Sequence, residues 1–336
     1  METPNDDLKP DEGMDFAREN NELKWVEERA NAVRSVMGDY IIGQHELVEL
    51  LLTGVFSSGH ILLEGVPGVA KTLASKVLAK ALAVDFSRIQ FTPDLMPSDV
   101  IGTSIFNMNT STFSFKKGPV FSNIVLIDEI NRAPAKTQAA LFEVMEERQI
   151  TYDGEAHLMD FPFLVLATQN PVEQEGTYSL PEAQLDRFLF KVKLDYPSFE
   201  DEVALLQRYK NNMSSPDLSQ ISPVLTTTDI LRIQACVEKV VIEDQLINYV
   251  AQLTDKTRAH SKIFLGASPR ASLALIRSAK AFATLNGRDF VIPDDIQFLV
   301  KHVFNHRLIL TPEAEMEGET TEQVIKEIIN TVEVPR

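Results

Sequence analysis

The sequence predicts an α/β fold: a five-stranded parallel sheet with flanking helices, followed by a smaller all-α domain. Short apolar runs alternate with helical patterns as far as residue 194, as in sheets whose strands are joined by helical crossovers. From Tyr196 onwards the pattern indicates helices only. A chain of 336 residues suits two domains. We expect an acidic disordered tail over 1–14, an α/β domain over 15–195 and a helical lid domain over 196–336.

The stretch from Gly59 to Leu82 predicts a strand, a glycine-rich turn and a helix. Its central sequence, GVPGVAKT, matches the phosphate-binding P-loop pattern, except that Ala70 stands where the second glycine belongs. Backbone N–H groups at the start of a helix bind phosphate. Lys71 would reach the β- and γ-phosphates, and the Thr72 hydroxyl would bind Mg²⁺. On this stretch alone, a plain turn between strand and helix is the alternative.

Two further predicted strands lead into polar groups. Asp128 and Glu129 end the apolar run that starts at Asn123, and Asn170 follows a strand over 163–167. Ligands of parallel sheets bind beyond the carboxyl ends of the strands. We therefore expect Asp128 to hold Mg²⁺, Glu129 to deprotonate the attacking water, and Asn170 to bind that water or the γ-phosphate. Taken singly, the acids could be a solvated strand end and Asn170 a turn residue.

Two arginines are candidates for contacts with the γ-phosphate. Arg187 lies between a short helix and the fifth strand, where it could reach the nucleotide of a neighbouring subunit, or else pair with Asp186 or Glu182. Arg270 falls in the first turn of a predicted lid helix, where it opposes the helix dipole. Such a charge suits an anion, although pairing with a nearby acid is the alternative. Arg132 is a weaker candidate of the same kind.

Three other segments have less specific patterns. The apolar turn Ile41–Gln44, ahead of the P-loop strand, could wall an adenine pocket, but an ordinary helix connection explains it equally well. Residues 106–115 are polar in the middle and aromatic at both ends, which predicts a surface hairpin. Its phenylalanines are expected to pack locally, with substrate contact as the alternative. The Asp-Gly pair within Gln149–Glu155 predicts a second hairpin.

Composition narrows the class of protein. The formal net charge of -17 argues against a protein whose main task is to hold DNA or RNA. Cys236 is the single cysteine, so no intrachain disulfide is expected, and its apolar neighbours predict a buried thiol. The six histidines show no metal-ligand spacing. The sequence shows neither an apolar run of membrane-spanning length nor a signal-peptide pattern, so we expect a cytoplasmic protein.

Five motifs together resemble a known family. GVPGVAKT, VLIDEINRA, ATQNP, LPEAQLDRF and GASPRA are similar in type, order and spacing to the motifs of AAA+ ATPases, and most closely to those of the MoxR family. The resemblance covers nearly the whole chain, including the alanine before the P-loop lysine and the Glu-rich closing segment. It therefore makes Ala70 a family variant rather than a defect.

By position, the resemblance implies a role for each candidate residue. Lys71 and Thr72 become Walker A, Asp128 and Glu129 Walker B, and Asn170 sensor 1. Arg187 becomes a trans-acting arginine finger and Arg270 sensor 2, so that the lid and the next subunit would both close the site. Thr72 and Asp128 are implied as the metal-binding pair. Nucleotide contacts are implied along the P-loop and before it, at Gly43, Gly65, Val66, Pro67, Gly68, Val69, Ala70, Lys71, Thr72 and Leu73.

The resemblance implies an ATPase that uses ATP and Mg²⁺ to remodel or assemble protein partners, as a chaperone, in cofactor insertion or in complex maturation. It implies a homo-oligomer, commonly a hexameric ring. Its protein substrates would include von Willebrand A-type proteins or metalloenzymes. The hairpins would match the helix-2 insert and the hairpin before sensor 1. The alternatives are a nucleic-acid motor of the same fold and a nucleotide-gated scaffold with negligible hydrolysis, for which Ala70 is the only motive.

Overall fold

The computed structural model describes residues 12–66, 68–109, 111–152, 154–170, 176–210 and 216–335, without the side chains of 12–20 and 107. Residues 1–11 of the predicted tail therefore lie outside the described residues, as does Pro67 of the predicted P-loop. The first helix already includes residues 12–14. Among the described residues, no helix is both long enough and apolar enough to cross a membrane.

The first part of the chain alternates helices and strands. In chain order these are α1 (Glu12–Gly38), α2 (His45–Phe56), β1 (His60–Gly65), α3 (Lys71–Ala81), β2 (Phe86–Gln90), α4 (Pro97–Ile101), β3 (Gly102–Asn107), β4 (Thr112–Lys117), β5 (Ile124–Asp128), α5 (Ala135–Glu147), β6 (Gln149–Tyr152), β7 (Glu155–Leu158), β8 (Leu164–Gln169), α6 (Glu182–Leu185) and β9 (Phe188–Leu194).

The remainder is mainly helical. It contains α7 (Phe199–Tyr209), α8 (Thr227–Lys239), α9 (Asp244–Ala259), β10 (Ile263–Leu265), α10 (Pro269–Leu285), α11 (Pro293–Phe304), β11 (Ile309–Leu310), α12 (Pro312–Met316) and α13 (Thr321–Thr331). Strands β10 and β11 form a small antiparallel pair that the sequence did not predict. Segments of two and three residues are too short to show an alternating pattern. Cys236 in α8 is buried, as predicted.

Five strands form the central sheet in the order β2-β5-β8-β1-β9, and all the pairs are parallel. The predicted five-stranded parallel sheet is confirmed. All five residues of β5 are buried, as the continuous apolar run of a strand covered on both faces requires. Because the strands are parallel, Gly65, Asp128 and Gln169 all lie at the carboxyl edge of the sheet, with β8 between β5 and β1. This order brings the P-loop turn, the acid pair and the end of β8 to one edge.

Both predicted hairpins are present, as β3–β4 and β6–β7. The phenylalanines of the first hairpin differ in how far they are exposed to solvent. The Phe115 ring stacks on His157 of the second hairpin, with centroids 4.4 Å apart. Phe106 and Phe113 contact each other but remain 47% and 70% exposed. Local packing therefore accounts for Phe115, whereas the outer pair leaves an apolar surface on the first hairpin.

Candidate active site

The turn after β1 builds a site for an anion. A Cβ on Gly65 would lie 2.6 Å from the Leu194 carbonyl oxygen of β9, so only glycine fits there. Ala70 precedes the first turn of α3 with φ 57° and ψ 18°, in the left-handed region that favours glycine. Ala70 thus adopts a conformation that would favour glycine, the residue that the P-loop pattern has at this position. The first backbone N–H groups of α3, which begins at Lys71, are left for a ligand.

A cavity of about 400 Å³ lies over this turn at the carboxyl edge of the sheet. It gathers most of the predicted phosphate, metal and water-binding residues together with three that the sequence did not single out. The lining residues are Gly65, Gly68, Val69, Ala70, Lys71, Thr72, Leu73, Arg88, Gln90, Asp128, Glu129, Thr168 and Asn170. Val66 instead packs against the core. The convergence of P-loop, acid pair and Asn170 is therefore observed.

Asp128 is held from two sides. Its side chain is 12% exposed, and its Oδ1 accepts a hydrogen bond from the Thr168 hydroxyl at 3.1 Å. The Nε of Arg88 in β2 lies 2.5 Å from Oδ2. The cation at Oδ2 compensates the charge of this largely buried carboxylate. Asp128 and Thr72 line the same cavity, and carboxylate and hydroxyl oxygens are donors that fit Mg²⁺.

Backbone conformation fixes the position of Glu129, and two side chains contact its carboxylate. Its φ of 56° is left-handed, and its N–H donates to Thr168 Oγ1 at 3.0 Å. Its Oε2 accepts from Gln90 Nε2 at 2.9 Å and lies 3.3 Å from Arg132 Nε. Arg132 therefore contacts the predicted base.

The side chain of Lys71 spans the P-loop turn. Its Nζ donates to the Gly65 carbonyl oxygen at 2.6 Å. Burial lowers the pKa of the Lys71 ammonium, and the charges of Asp128, Glu129 and Glu64 oppose that shift. A bound phosphate would offer this half-buried ammonium a charged acceptor in place of a carbonyl.

Arg187 and Arg270 lie elsewhere. They line a second cavity, of about 440 Å³, beside Gly59 and His60 at the amino end of β1. Arg187 Nη2 lies 2.8 Å from Glu146 Oε2, and Arg270 Nη2 lies 3.0 Å from Oε1 of the same carboxylate. The expectation that Arg270 closes the site of its own chain is therefore corrected. The lid places α10 against the amino edge of the sheet, opposite the P-loop.

Gly43 lines a third cavity, of about 330 Å³, with Leu47 of α2, Leu194 of β9 and His302 of α11. Leu194 also abuts Gly65, so this cavity lies next to the P-loop turn but is distinct from the cavity lined by Lys71 and Asp128. A role of the segment Ile41–Gln44 beside adenine remains a prediction.

Sequence reasoning missed Arg88, Gln90 and Thr168. Each lies near the carboxyl end of a sheet strand, and in β2 the two polar side chains alternate with the buried Ile89. Their positions near strand ends were the available signal, the same one that identified Asn170. The pairing of β2 with β5, which brings Gln90 opposite Asp128, is a long-range fact that no local pattern shows.

A P-loop at the end of β1 and an acid pair at the end of β5, in the strand order β2-β5-β8-β1-β9, define a P-loop ATPase of the AAA+ class. The model of the "ATPase family associated with various cellular activities (AAA)" matches residues 60–190, and that of the "AAA lid domain" matches 255–328. The chain belongs to the MoxR family of AAA+ ATPases.

The relatives support this assignment over most of the chain. "Chaperone MoxR1" of Mycobacterium tuberculosis is 47% identical over 305 residues, which are 88% of this chain and 80% of that protein. "Uncharacterized protein YeaC" of Bacillus subtilis is 48% identical over 88% of this chain and 91% of its own. A crystal structure of a Cytophaga hutchinsonii protein, described provisionally as an ATPase, is 44% identical with a TM-score of 0.88, and covers 96% of this chain and 100% of its own.

Proposed function

We propose that this ATPase uses Mg²⁺ with ATP and couples hydrolysis to the remodelling or assembly of partner proteins. The observation that carries the proposal is the meeting of Lys71, Asp128, Glu129 and Asn170 in one cavity at the carboxyl edge of the sheet. The β- and γ-phosphates of a nucleoside triphosphate would accept hydrogen bonds from the backbone N–H groups of the P-loop turn and would lie near Lys71.

The side chains around the cavity would have separate roles in metal binding and hydrolysis. Thr72 and Asp128 would hold Mg²⁺, which neutralises charge on the β- and γ-phosphates. Glu129, whose Oε2 is held by Gln90 and Arg132, would take a proton from the attacking water. Asn170, at the end of β8 beside β5, would orient that water or the γ-phosphate.

The arginines favour an oligomer, and we propose a homo-oligomeric ring, with six subunits as the family expectation. Arg187 and Arg270 lie at the amino edge of the sheet, opposite the cavity of their own chain. Arg187 Nε is buried with no hydrogen-bond partner in the described part of the chain. In a ring, the amino edge of one subunit would face the carboxyl-edge cavity of the next. Both arginines would then stabilise charge on the neighbour's γ-phosphate.

A chaperone-like role is supported by the similarity to Chaperone MoxR1 of Mycobacterium tuberculosis. In this chain, the exposed Phe106, Met108 and Phe113 give the first hairpin an apolar surface that suits protein contacts. Partners of the von Willebrand A type or metalloenzymes, and a location in the cytoplasm, are part of the proposal on the strength of the family resemblance.

Glu129→Gln is the decisive test. The variant keeps the size of the side chain but removes the base, so we expect near-normal ATP binding and a fall in turnover of about 100-fold or more. Glu147→Gln, at an exposed position at the end of α5, is the matched control. Near-normal turnover by Glu129→Gln would contradict the assignment. Strong stimulation of turnover by duplex DNA would favour a nucleic-acid motor instead.

A further inference from the structure

The second cavity is rich in arginine, and we refer to it as the arginine cavity. Among the residues that the structure describes, its lining includes five guanidinium groups, from Arg148, Arg187, Arg270, Arg277 and Arg307, but only two carboxylates, from Glu146 and Asp186. Its formal charge is therefore positive, in a chain whose net charge is -17. An excess of guanidinium groups around a concave surface is the arrangement that binds phosphate.

Three of the five arginines have acidic partners. Arg307 is buried and anchored, because its Nε lies 2.6 Å from Asp186 Oδ1 and its Nη2 donates to the Phe188 carbonyl oxygen at 2.7 Å. Arg187 and Arg270 share the Glu146 carboxylate. Asp186 and Glu146 are therefore both engaged, and neither neutralises the remaining arginines.

Arg148 and Arg277 have no carboxylate within 4 Å in the part of the chain that the structure describes. Instead, the Nη2 atoms of both donate to one carbonyl oxygen, that of Ser58, at 2.8 and 3.2 Å. Burial lowers the pKa of both guanidinium groups, and the charge of Arg148 further lowers that of Arg277. Two like charges that converge without an acid are unfavourable unless an anion joins them.

The backbone brings the two arginines together at the ends of two helices. Ser58 follows the end of α2 and Arg148 follows the end of α5, and both have left-handed φ values, of 51° and 52°, as residues that terminate helices commonly do. Arg277 approaches from the lid, on α10, seven residues after Arg270, so that both face the same cavity.

We infer that Arg148 and Arg277 form a second phosphate subsite, which contacts the triphosphate of a nucleotide held by the next copy of this chain beside Arg187 and Arg270. The inference rests on the proposed ring. The shared chemistry is a phosphate group, and the alternative source is free inorganic phosphate. Contacts that are present in both ground and transition states lower KM and leave kcat nearly unchanged.

The first experiment separates binding from catalysis. Arg277→Ala should raise the KM for ATP roughly tenfold, the usual loss for a charged hydrogen bond, with kcat within about threefold of wild type. Lys280→Ala, which removes the same charge from the same helix outside the cavity, should leave both constants unchanged. Arg148→Gln retains a donor for Ser58 and serves as the second variant, with Tm confirming the fold. An unchanged KM in both variants would overturn the subsite.

The second experiment tests which chain supplies the arginine. Arg277→Ala subunits are co-expressed with Lys71→Ala subunits under two affinity tags, and mixed rings are purified on both tags. At low ATP, turnover per Arg277→Ala subunit should rise, because Lys71→Ala neighbours supply an intact Arg277. The same experiment with Arg187→Ala tests the ring itself. Recovery with Arg187→Ala but not with Arg277→Ala would overturn the subsite alone, whereas recovery with neither would overturn the trans arrangement as well.

The third experiment tests free phosphate. Inorganic phosphate is added to wild type and Arg277→Ala without nucleotide, and Tm is measured. An increase in Tm that depends on Arg277, together with no recovery in mixed rings, would assign the cavity to free phosphate and overturn the inference. Recovery in mixed rings supports the neighbour's nucleotide as the ligand.

Discussion

Arg187 and Arg270 bind opposite oxygens of one carboxylate, that of Glu146, at 2.8 and 3.0 Å. Arg187 precedes the edge strand β9, and Arg270 opens the lid helix α10. Glu146 at the end of α5 therefore holds an arginine of the α/β part beside one of the lid. A movement of the lid against the sheet would change the spacing of the two guanidinium groups. In the proposed ring, this would couple the lid of one subunit to hydrolysis in the next.

Arg187→Ala should lower kcat by about 100-fold or more, because a trans arginine stabilises charge that develops only in the transition state. Wild-type turnover per subunit should rise with protein concentration as shared sites form, and the variant should lose that rise. Steady-state ATPase assays across a protein dilution series test both points. Arg29→Ala, on the surface of α1, is the control. A rate per subunit that is independent of concentration, with Arg187→Ala unchanged, would remove the finger role.

Glu146→Gln should lower kcat by roughly fivefold, because the two guanidinium groups lose the charge that fixes their spacing. The effect should vanish in an Arg187→Ala background, since residues that act through one another are not additive. A double-mutant cycle on kcat measures this coupling, with Glu147→Gln as the control. Additive losses would show that Glu146 acts elsewhere.

The sequence was most informative where function requires a local motif. GVPGVAKT and the acids at the end of β5 carry their residue types in one short segment, so Lys71, Asp128 and Glu129 could be placed without knowledge of the tertiary structure. Arg88 and Gln90 could not, because their role depends on the pairing of β2 with β5. The position of Arg270 depends on how the lid packs against α5, which its own helix does not encode. Local patterns thus identified the candidate phosphate-binding and acidic residues at the carboxyl edge of the sheet, but not the cluster of arginines at its amino edge.

Ala70→Gly tests whether the alanine weakens the P-loop. The left-handed backbone costs alanine about 1 kcal/mol relative to glycine. Glycine, however, loses more entropy on folding by about the same amount. We therefore expect a change in unfolding free energy below about 1 kcal/mol and a change in the Kd for ATP below about threefold. Chemical denaturation and nucleotide titration measure these. A much tighter Kd in the glycine variant would show that the methyl group obstructs phosphate binding.

His60, at the start of β1, should make stability depend on pH. The ring is buried between two backbone groups: Nε2–H donates to the Met145 carbonyl oxygen at 3.1 Å, and Nδ1 accepts from Val165 N–H at 2.9 Å. Only the neutral ring makes both bonds. Burial, aided by the nearby charges of Arg148 and Arg277, lowers the pKa of His60 from 6.5 to about 4.

The sign follows from proton linkage. Between pH 6.5 and 4 the unfolded chain binds a proton at His60 that the folded chain does not, so the stabilisation is complete above pH 6.5 and is lost as pH falls towards 4. At about pH 5 the expected loss from this residue is about 2 kcal/mol relative to about pH 7.5. The buried His306, whose pKa is also lowered by burial, acts in the same direction.

Urea denaturation of wild type and His60→Gln at both pH values measures the difference in unfolding free energy, with the exposed His45→Gln as control. Since glutamine does not titrate in this range, an equally steep loss of stability in His60→Gln would show that His60 is not its source.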